Sequence, residues 1–87
     1  MHPLRNIFNK IFWDKRERKE DYEVTFTHRG VLNDRKTILF SSIIKAGKST
    51  FIYIDDEEEI VIPMHRVIIV RNVRKGEIIW KKSRLSN

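Results

Sequence analysis

Two His-Arg doublets are the residues of this chain whose types and spacing could do chemistry. They lie in the segments His28-Arg29-Gly30 and Pro63-Met64-His65-Arg66, so each doublet is close to a residue that interrupts strands. Inside a regular strand, neighbouring side chains point to opposite faces, but this alternation can fail at a strand end or a bulge. Both side chains of a doublet could therefore reach one pocket.

Phosphate recognition is the chemistry that these side chains suit. Arginine offers a planar fork that matches two phosphate oxygens. Histidine is a compact donor or acceptor whose charge can change near neutral pH. A glycine lets a phosphate approach the backbone closely, and two further bases just past that glycine could add charge to the rim. The predicted phosphate-binding residues are His28, Arg29, Gly30, Arg35, Lys36, His65 and Arg66.

Each of these features also has a purely structural interpretation. His28 falls on the apolar face of its strand and could be a histidine at the edge of the core, and Arg66 could pair with a nearby run of acids. A metal site would need both histidines and a carboxylate, but nothing in the sequence has ligand spacing, so we predict no metal and no cofactor. Trp13, Tyr53 and Trp80 could stack on nucleobases, although packing is the commoner role of such residues.

The charge distribution favours a polyanionic partner. The chain has 18 Lys and Arg against 12 Asp and Glu, a net charge of +6. Five of those acids are consecutive, from Asp55 to Glu59, so the other 82 residues carry 18 bases against seven acids, a net charge of +11. Such a body is typical of nucleic-acid-binding domains. A charged surface that keeps a protein in solution would have a similar composition.

Length and composition exclude several classes of protein. The 87 residues predict one domain over 1–87, with an ordered core at about 3–82. The absence of cysteine excludes disulfide scaffolds, thiolate zinc sites and cysteine nucleophiles. No apolar run approaches the roughly 20 residues that span a bilayer, and the N-terminus lacks a secretory apolar stretch. We therefore expect a cytoplasmic protein with no membrane partner.

The hydrophobic pattern predicts an α+β fold. After Pro3, apolar residues recur at helical spacing and predict a helix over 3–13. From Tyr22 the pattern changes to alternating segments and to runs of β-branched and aromatic residues, which are typical of strands. The predicted strands are 22–29, 37–40, 50–54, 60–62, 66–73 and 77–82, with a short helical turn at 41–44. Short connections favour antiparallel pairing. The prediction is an N-terminal helix packed on a strongly curved, even barrel-like, antiparallel sheet of five to six strands.

These motifs resemble a small, mostly archaeal protein family. The resemblance covers residues 3 to 82 and rests on Ile11-Phe12-Trp13-Asp14, His28-Arg29-Gly30, Asn33-Asp34-Arg35-Lys36 and Ile62-Pro63-Met64-His65-Arg66. The family is described as an RNA cyclic-phosphate end-recognition domain and also occurs fused to RNA-processing domains. The resemblance implies that His28, Arg29, His65 and Arg66 bind RNA ends bearing a 2′,3′-cyclic phosphate. The acidic run departs from the family, which more often has a short Asp-Gly-type turn there.

Three functions are consistent with the sequence. The first is an RNA-binding module that holds a terminal phosphate. The second is an RNA phosphodiester-processing enzyme with His28 and His65 as acid-base pair. No orienting carboxylate is evident for it and the domain is small, so the sequence favours binding without catalysis. The third is a protein-interaction adaptor that docks an RNA-processing protein through the acidic run 55–59 and a basic tail, the segment from Arg71 onward with six bases and one acid.

Overall fold

The computed structural model describes residues 3–28 and 34–82. Within these ranges the chain forms one α-helix and seven β-strands. They are α1 (Pro3–Trp13), β1 (Tyr22–Thr27), β2 (Arg35–Leu39), β3 (Ile43–Ala46), β4 (Thr50–Asp55), β5 (Glu58–Pro63), β6 (Val67–Asn72) and β7 (Glu77–Lys81). Three short 3₁₀-helices, Lys19–Asp21, Phe40–Ser42 and Met64–Arg66, precede β1, β3 and β6.

The strands form two antiparallel sheets. One has four strands in the order β2-β1-β6-β7, and the other has three in the order β3-β4-β5. The chain passes between the sheets twice, through the Phe40–Ser42 helix after β2 and through the Met64–Arg66 helix after β5. Each of these single helical turns interrupts the strand pairing and redirects the chain. Each is closed by a backbone hydrogen bond, from Ile43 N–H to the Phe40 carbonyl and from Val67 N–H to the Met64 carbonyl.

The α+β class and the N-terminal helix are confirmed, but the single curved sheet is wrong. The described residues form two separate sheets and no closed barrel. The helical turn expected at 41–44 lies at Phe40–Ser42, and Ile43 and Ile44 begin a strand that the sequence did not predict. The packing role expected of Trp13 is also wrong, since its side chain is 80% exposed, whereas Tyr53 is buried and Trp80 packs against the core.

Aromatic residues join the helix to both sheets. Phe8 of α1 is fully buried, with its ring centre 5.0 Å from that of Phe40 and 5.5 Å from that of Phe51. Phe51 in turn lies 5.8 Å from Phe26 of β1, again between ring centres. Alternation along β1 buries Tyr22, Val24 and Phe26 and turns the residues between them outward. The core therefore fixes which side of β1 each later residue occupies.

Strand register brings the two His-Arg segments to the same end of the four-stranded sheet. Thr27, the last residue of β1, pairs with Arg35 at the start of β2. Its neighbour Phe26 pairs with Val67 at the start of β6, directly after the Met64–Arg66 helix. The end of β1 and the beginning of β6 are thus adjacent because the two strands are antiparallel.

The acidic run forms a strained hairpin turn. Asp56 and Glu57 connect β4 to β5 and have φ of 53° and 70°, the signature of a type I′ turn that favours Asn-Gly. Left-handed backbone costs residues with a Cβ about 1 kcal/mol or more. We expect Asp56→Asn combined with Glu57→Gly to raise the free energy of unfolding by about 1 kcal/mol, measured by urea denaturation.

Gly76 provides the matched control for this substitution. Its φ is +69°, and a Cβ added there would meet no atom within 4 Å, so Gly76→Ala introduces backbone strain without a clash. We expect Gly76→Ala to lower the free energy of unfolding by about 1 kcal/mol. A hairpin variant that is no more stable than the parent, beside a destabilised Gly76→Ala, would contradict the assignment of strain to the acidic turn.

Candidate functional site

A polar cavity lies where the end of β1 meets the Met64–Arg66 helix. Its volume is about 430 Å³. The described residues that line it are Thr27, His28, Asp34, His65, Arg66 and Lys82. The side chains of these residues comprise two imidazoles, one guanidinium, one ammonium, one hydroxyl and one carboxylate. Such a set offers an anion several hydrogen-bond donors and a positive charge.

The end of β1 positions His28 at the rim of the core. Its backbone N–H donates a hydrogen bond to the carbonyl oxygen of Asp34 over 2.8 Å, which closes the connection between β1 and β2. Its ring is half-buried and lies 6.1 Å from the ring of Phe26, measured between centres. His28 thus packs against the core on one side and lines the cavity on the other, and it is not sealed within the apolar interior.

The Met64–Arg66 helix directs its last two side chains outward. Met64 is buried in the core, and its N–H donates to the carbonyl oxygen of Ser49 over 2.8 Å. A 3₁₀-helix has three residues per turn, so neighbouring side chains are separated by about a third of a turn. With Met64 pointing inward, both His65 and Arg66 are exposed, and both line the cavity. Because neighbouring residues of this helix do not alternate between two faces as they do in a strand, both side chains of the second doublet reach one cavity.

Lys82 joins the last strand to this site. Its Nζ donates to the carbonyl oxygen of His65 over 2.6 Å, and its backbone N–H donates to the carbonyl oxygen of Ile68 over 2.8 Å. The first contact places an ammonium group at the edge of the cavity and ties it to the backbone of the second doublet. Arg66 has no ion-pair partner among the residues that the structure describes.

Comparison with models of known protein families identifies the family of this chain. The model of the MJ1316 RNA cyclic group end recognition domain matches residues 1–82. The chain belongs to this family. The resemblance inferred from the sequence motifs is therefore confirmed. No solved structure is significantly similar to this chain.

Archaeal members of the MJ1316 family are similar to the chain over most of its length. UPF0248 protein MJ1316 of Methanocaldococcus jannaschii is 39% identical over 79 residues, which cover 91% of this chain and 92% of that protein. UPF0248 protein MmarC7_1289 of Methanococcus maripaludis is 33% identical, with 91% and 97% covered. UPF0248 protein LS215_2790 of Saccharolobus islandicus is 33% identical, with 91% and 98% covered.

The structure brings together three of the seven residues that the sequence predicted for this MJ1316-family site. His28, His65 and Arg66 line one cavity. Arg35 and Lys36 are not among its described lining residues, and Arg29 and Gly30 lie outside the described residues. Thr27, Asp34 and Lys82 line the cavity but were not predicted to belong to the site. The position of Lys82 could have been predicted from the pairing of β6 with β7. In an antiparallel pair the end of β7 lies beside the start of β6, where the second doublet is.

Lys36 holds the acidic hairpin and does not line the cavity. Its Nζ lies 2.9 Å from Oδ2 of Asp55 and 5.7 Å from the centre of the Tyr53 ring. The hydrogen bond that the Lys36 ammonium donates to the Asp55 carboxylate raises the pKa of Lys36 above its usual 10.5. This ion pair joins the two sheets and neutralises one acid of the run. None of the acids 55–59 lines the cavity or pairs with Arg66, so that structural interpretation of Arg66 is not observed.

The described residues contain neither a cluster of metal ligands nor a helix that could span a membrane. Among residues 3–28 and 34–82, no three His, Cys, Asp or Glu side chains lie close enough together to hold a metal ion. The helix of the described chain lacks the length and apolar character needed to cross a bilayer.

Proposed function

We propose that this MJ1316-family domain binds RNA ends bearing a 2′,3′-cyclic phosphate in the cavity between β1 and the Met64–Arg66 helix. The observation that supports the proposal most directly is that side chains from two segments 37 positions apart, His28 and His65, line one polar cavity together with Arg66. The family description, RNA cyclic group end recognition, names the same class of ligand.

The donors of the cavity suit a cyclic phosphodiester. Such a group has one negative charge and two non-bridging oxygens, which match the two-pronged guanidinium of Arg66. The imidazoles and the Lys82 ammonium can donate further hydrogen bonds to the same oxygens or to the ribose. The compact ring presents all of these acceptors at the very end of the RNA, so a small cavity can enclose them.

Asp34 gives a physical reason for preferring a cyclic phosphate to a terminal monophosphate. Asp34 is an acidic residue that lines the same cavity as the basic residues. A terminal monophosphate is close to doubly negative at neutral pH, whereas a cyclic diester is singly negative. Repulsion from a carboxylate rises with the charge of the ligand, so Asp34 disfavours the dianion more strongly. Specificity of this kind arises from a repulsive group as much as from attractive ones.

The test uses one RNA sequence with three different 3′ ends. We expect the chain to bind the 2′,3′-cyclic phosphate end about tenfold more tightly than the hydroxyl end, and more tightly than the 3′-phosphate end, in fluorescence anisotropy at one fixed salt concentration. The basic body supplies a background affinity for all three RNAs, and this background falls as salt rises. Equal affinity for the three ends would show general RNA binding and overturn the proposal.

One observation favours the second function, ring opening by an acid-base pair. His28 and His65 line the same cavity as Asp34, an acidic residue that the sequence did not assign to the site. One imidazole would take a proton from water as its oxygen forms a bond to phosphorus, and the other would donate a proton to O2′ as the P–O2′ bond breaks. The product would be a 3′-phosphate. Conversion of cyclic ends that disappears in both His28→Ala and His65→Ala would establish this activity, and intact ends after incubation would exclude it. The adaptor function stays a prediction.

A further inference from the structure

The four-stranded sheet has a face that points away from the core. The core lies on the side of Val24 and Phe26, where α1 and the three-stranded sheet pack. The opposite side carries the residues that alternate with them. We call the part of this surface nearest the cavity the outer face, defined by Thr25, Thr27, Arg35, Thr37, Ile69 and Lys81. Of these residues, Thr27, Arg35, Thr37 and Lys81 are exposed, and none is buried.

Register arranges the outer face in two rows beside the cavity. The nearer row is the pair Thr27 and Arg35. The next row crosses all four strands as Thr37, Thr25, Ile69 and Lys81, with the two threonine hydroxyls 2.7 Å apart. Thr27 lines the cavity and also belongs to the outer face. The cavity and the face are therefore continuous.

The charge of the outer face is positive and not neutralised by its neighbours. Arg35 and Lys81 are its charged residues, and neither forms an ion pair with any residue in the described part of the chain. Among the six residues that define the outer face there is no acid; Asp34 lines the neighbouring cavity, and in the next row of the sheet Oε1 of Glu23 accepts a hydrogen bond from Nε of Arg71 over 3.1 Å. Glu23 is already paired with Arg71, so the two cations of the outer face, Arg35 and Lys81, remain for an external anion.

We propose that the outer face carries the phosphodiester backbone of the nucleotides that precede the terminal cyclic phosphate. The inference rests on the proposed function, because the terminal group in the cavity fixes where the strand leaves the site. Arg35 and Lys81 contact phosphates, and the threonine hydroxyls donate to phosphate or ribose oxygens. The face carries no aromatic side chain on which bases could stack, so binding there depends on backbone charge and is largely independent of base sequence.

Charge also distinguishes RNA from a second copy of the chain as the occupant. Two copies that docked through this face about a twofold axis would place the same patch on both sides of the interface. Arg35 and Lys81 of one copy would then face the same cations of the other, with no acid in the two rows to balance them. An RNA backbone presents negative charge at every nucleotide and suits the same surface without such repulsion.

The experiment compares a short and a long ligand on the full chain and on a double variant. The ligands are a 2′,3′-cyclic mononucleotide and a single-stranded hexanucleotide with the same cyclic end. We expect the parent chain to bind the hexanucleotide about tenfold more tightly, and Arg35→Ala with Lys81→Ala to lose that gain while binding the mononucleotide unchanged. The slope of log affinity against log salt for the hexanucleotide should fall by about 0.7 for each contact removed.

Lys10→Ala is the matched control, since Lys10 is an exposed cation of α1, which packs on the opposite side of the sheet. We expect it to retain the gain from the longer RNA. Equal losses in Lys10→Ala and in the double variant would overturn the outer-face inference, as would a hexanucleotide that binds no more tightly than the mononucleotide. A parent dimer that the double variant dissociates would overturn it too. Absence of any preference for cyclic ends would instead defeat the proposed function.

Discussion

Arg66→Ala is expected to weaken binding of RNA with a 2′,3′-cyclic phosphate end by about tenfold to a hundredfold. A hydrogen bond to a charged group contributes about 1.5–3 kcal/mol, and a guanidinium can make two such bonds to one phosphate. The same variant should weaken binding of the hydroxyl-ended RNA far less, because that ligand has no group to fill the cavity. Anisotropy titrations with both RNAs at equal salt measure the difference.

The structure indicates that this variant will fold. Arg66 is exposed and has no ion pair with a described residue, while the helix that carries it is held by the buried side chain of Met64. Replacement therefore removes a donor without opening the core. Arg66→Lys keeps the positive charge but loses the planar fork. We expect it to recover only part of the affinity for the cyclic end.

Arg18→Ala is the control for loss of one guanidinium charge. Arg18 precedes β1, at the opposite end of that strand from His28, and forms an exposed ion pair with Glu20 at 3.8 Å. Removal of this charge should weaken binding of the cyclic-ended and the hydroxyl-ended RNA slightly and by the same factor. If Arg66→Ala also weakens binding of the two RNAs by equal factors, Arg66 is part of the general basic surface and the cavity does not recognise the terminal group.

Helical periodicity predicted α1 with its observed bounds. Apolar residues at helical spacing define one stripe, and Pro3 suits the first turn of a helix. Leu4, Phe8 and Ile11 of that stripe are buried. Trp13 was assigned a packing role from its residue type alone. It falls at the end of the helix and outside the buried stripe, and hydrophobic spacing is therefore a better guide here than residue type.

The division into two sheets could not be read from alternation. A period of two identifies a strand and its faces, but it does not say which strands share a sheet. The 3₁₀-helices that carry the chain between sheets are single turns, too short to show a periodic pattern. Ile43 and Ile44 are adjacent β-branched residues, so no alternation marks the start of β3. That strand was consequently assigned to a helical turn.

The positions of the two histidines were predictable, but their neighbours in the cavity were not. His28 and His65 lie near residues that interrupt strands, where the sequence pattern itself marks a change of direction. Lys82 reaches the site only through the pairing of β7 with β6. The strand predicted over 37–40 left Arg35 and Lys36 outside it, in the connection after Gly30. They in fact begin β2, where neighbouring side chains point to opposite faces.

Phe8→Ala is expected to lower the free energy of unfolding by about 3–5 kcal/mol, the usual cost of replacing a buried phenylalanine by alanine. Phe8 is fully buried and contacts rings from the Phe40–Ser42 helix and from β4. The cavity left behind cannot collapse easily, because Phe40 and Phe51 are held by other elements. For a domain of this size, such a loss is a large part of the total stability. Urea denaturation followed by far-UV circular dichroism measures it.

Phe12→Ala is the matched comparison, one turn further along the same helix. The ring of Phe12 also contacts Phe40, at 5.3 Å between centres, but it is only half-buried and lies 4.5 Å from Nζ of Lys19. A half-exposed ring gives up less burial and leaves less of a cavity, so we expect a loss of about half that of Phe8→Ala. Equal losses in the free energy of unfolding would mean that the end of the helix contributes as much to stability as its middle.

The same pair of variants also tests whether the core positions His28. Ring contacts run from Phe8 through Phe51 and Phe26 to His28. A Phe8→Ala chain that still folds should therefore bind cyclic ends less tightly, whereas Phe12→Ala should bind them as the parent does.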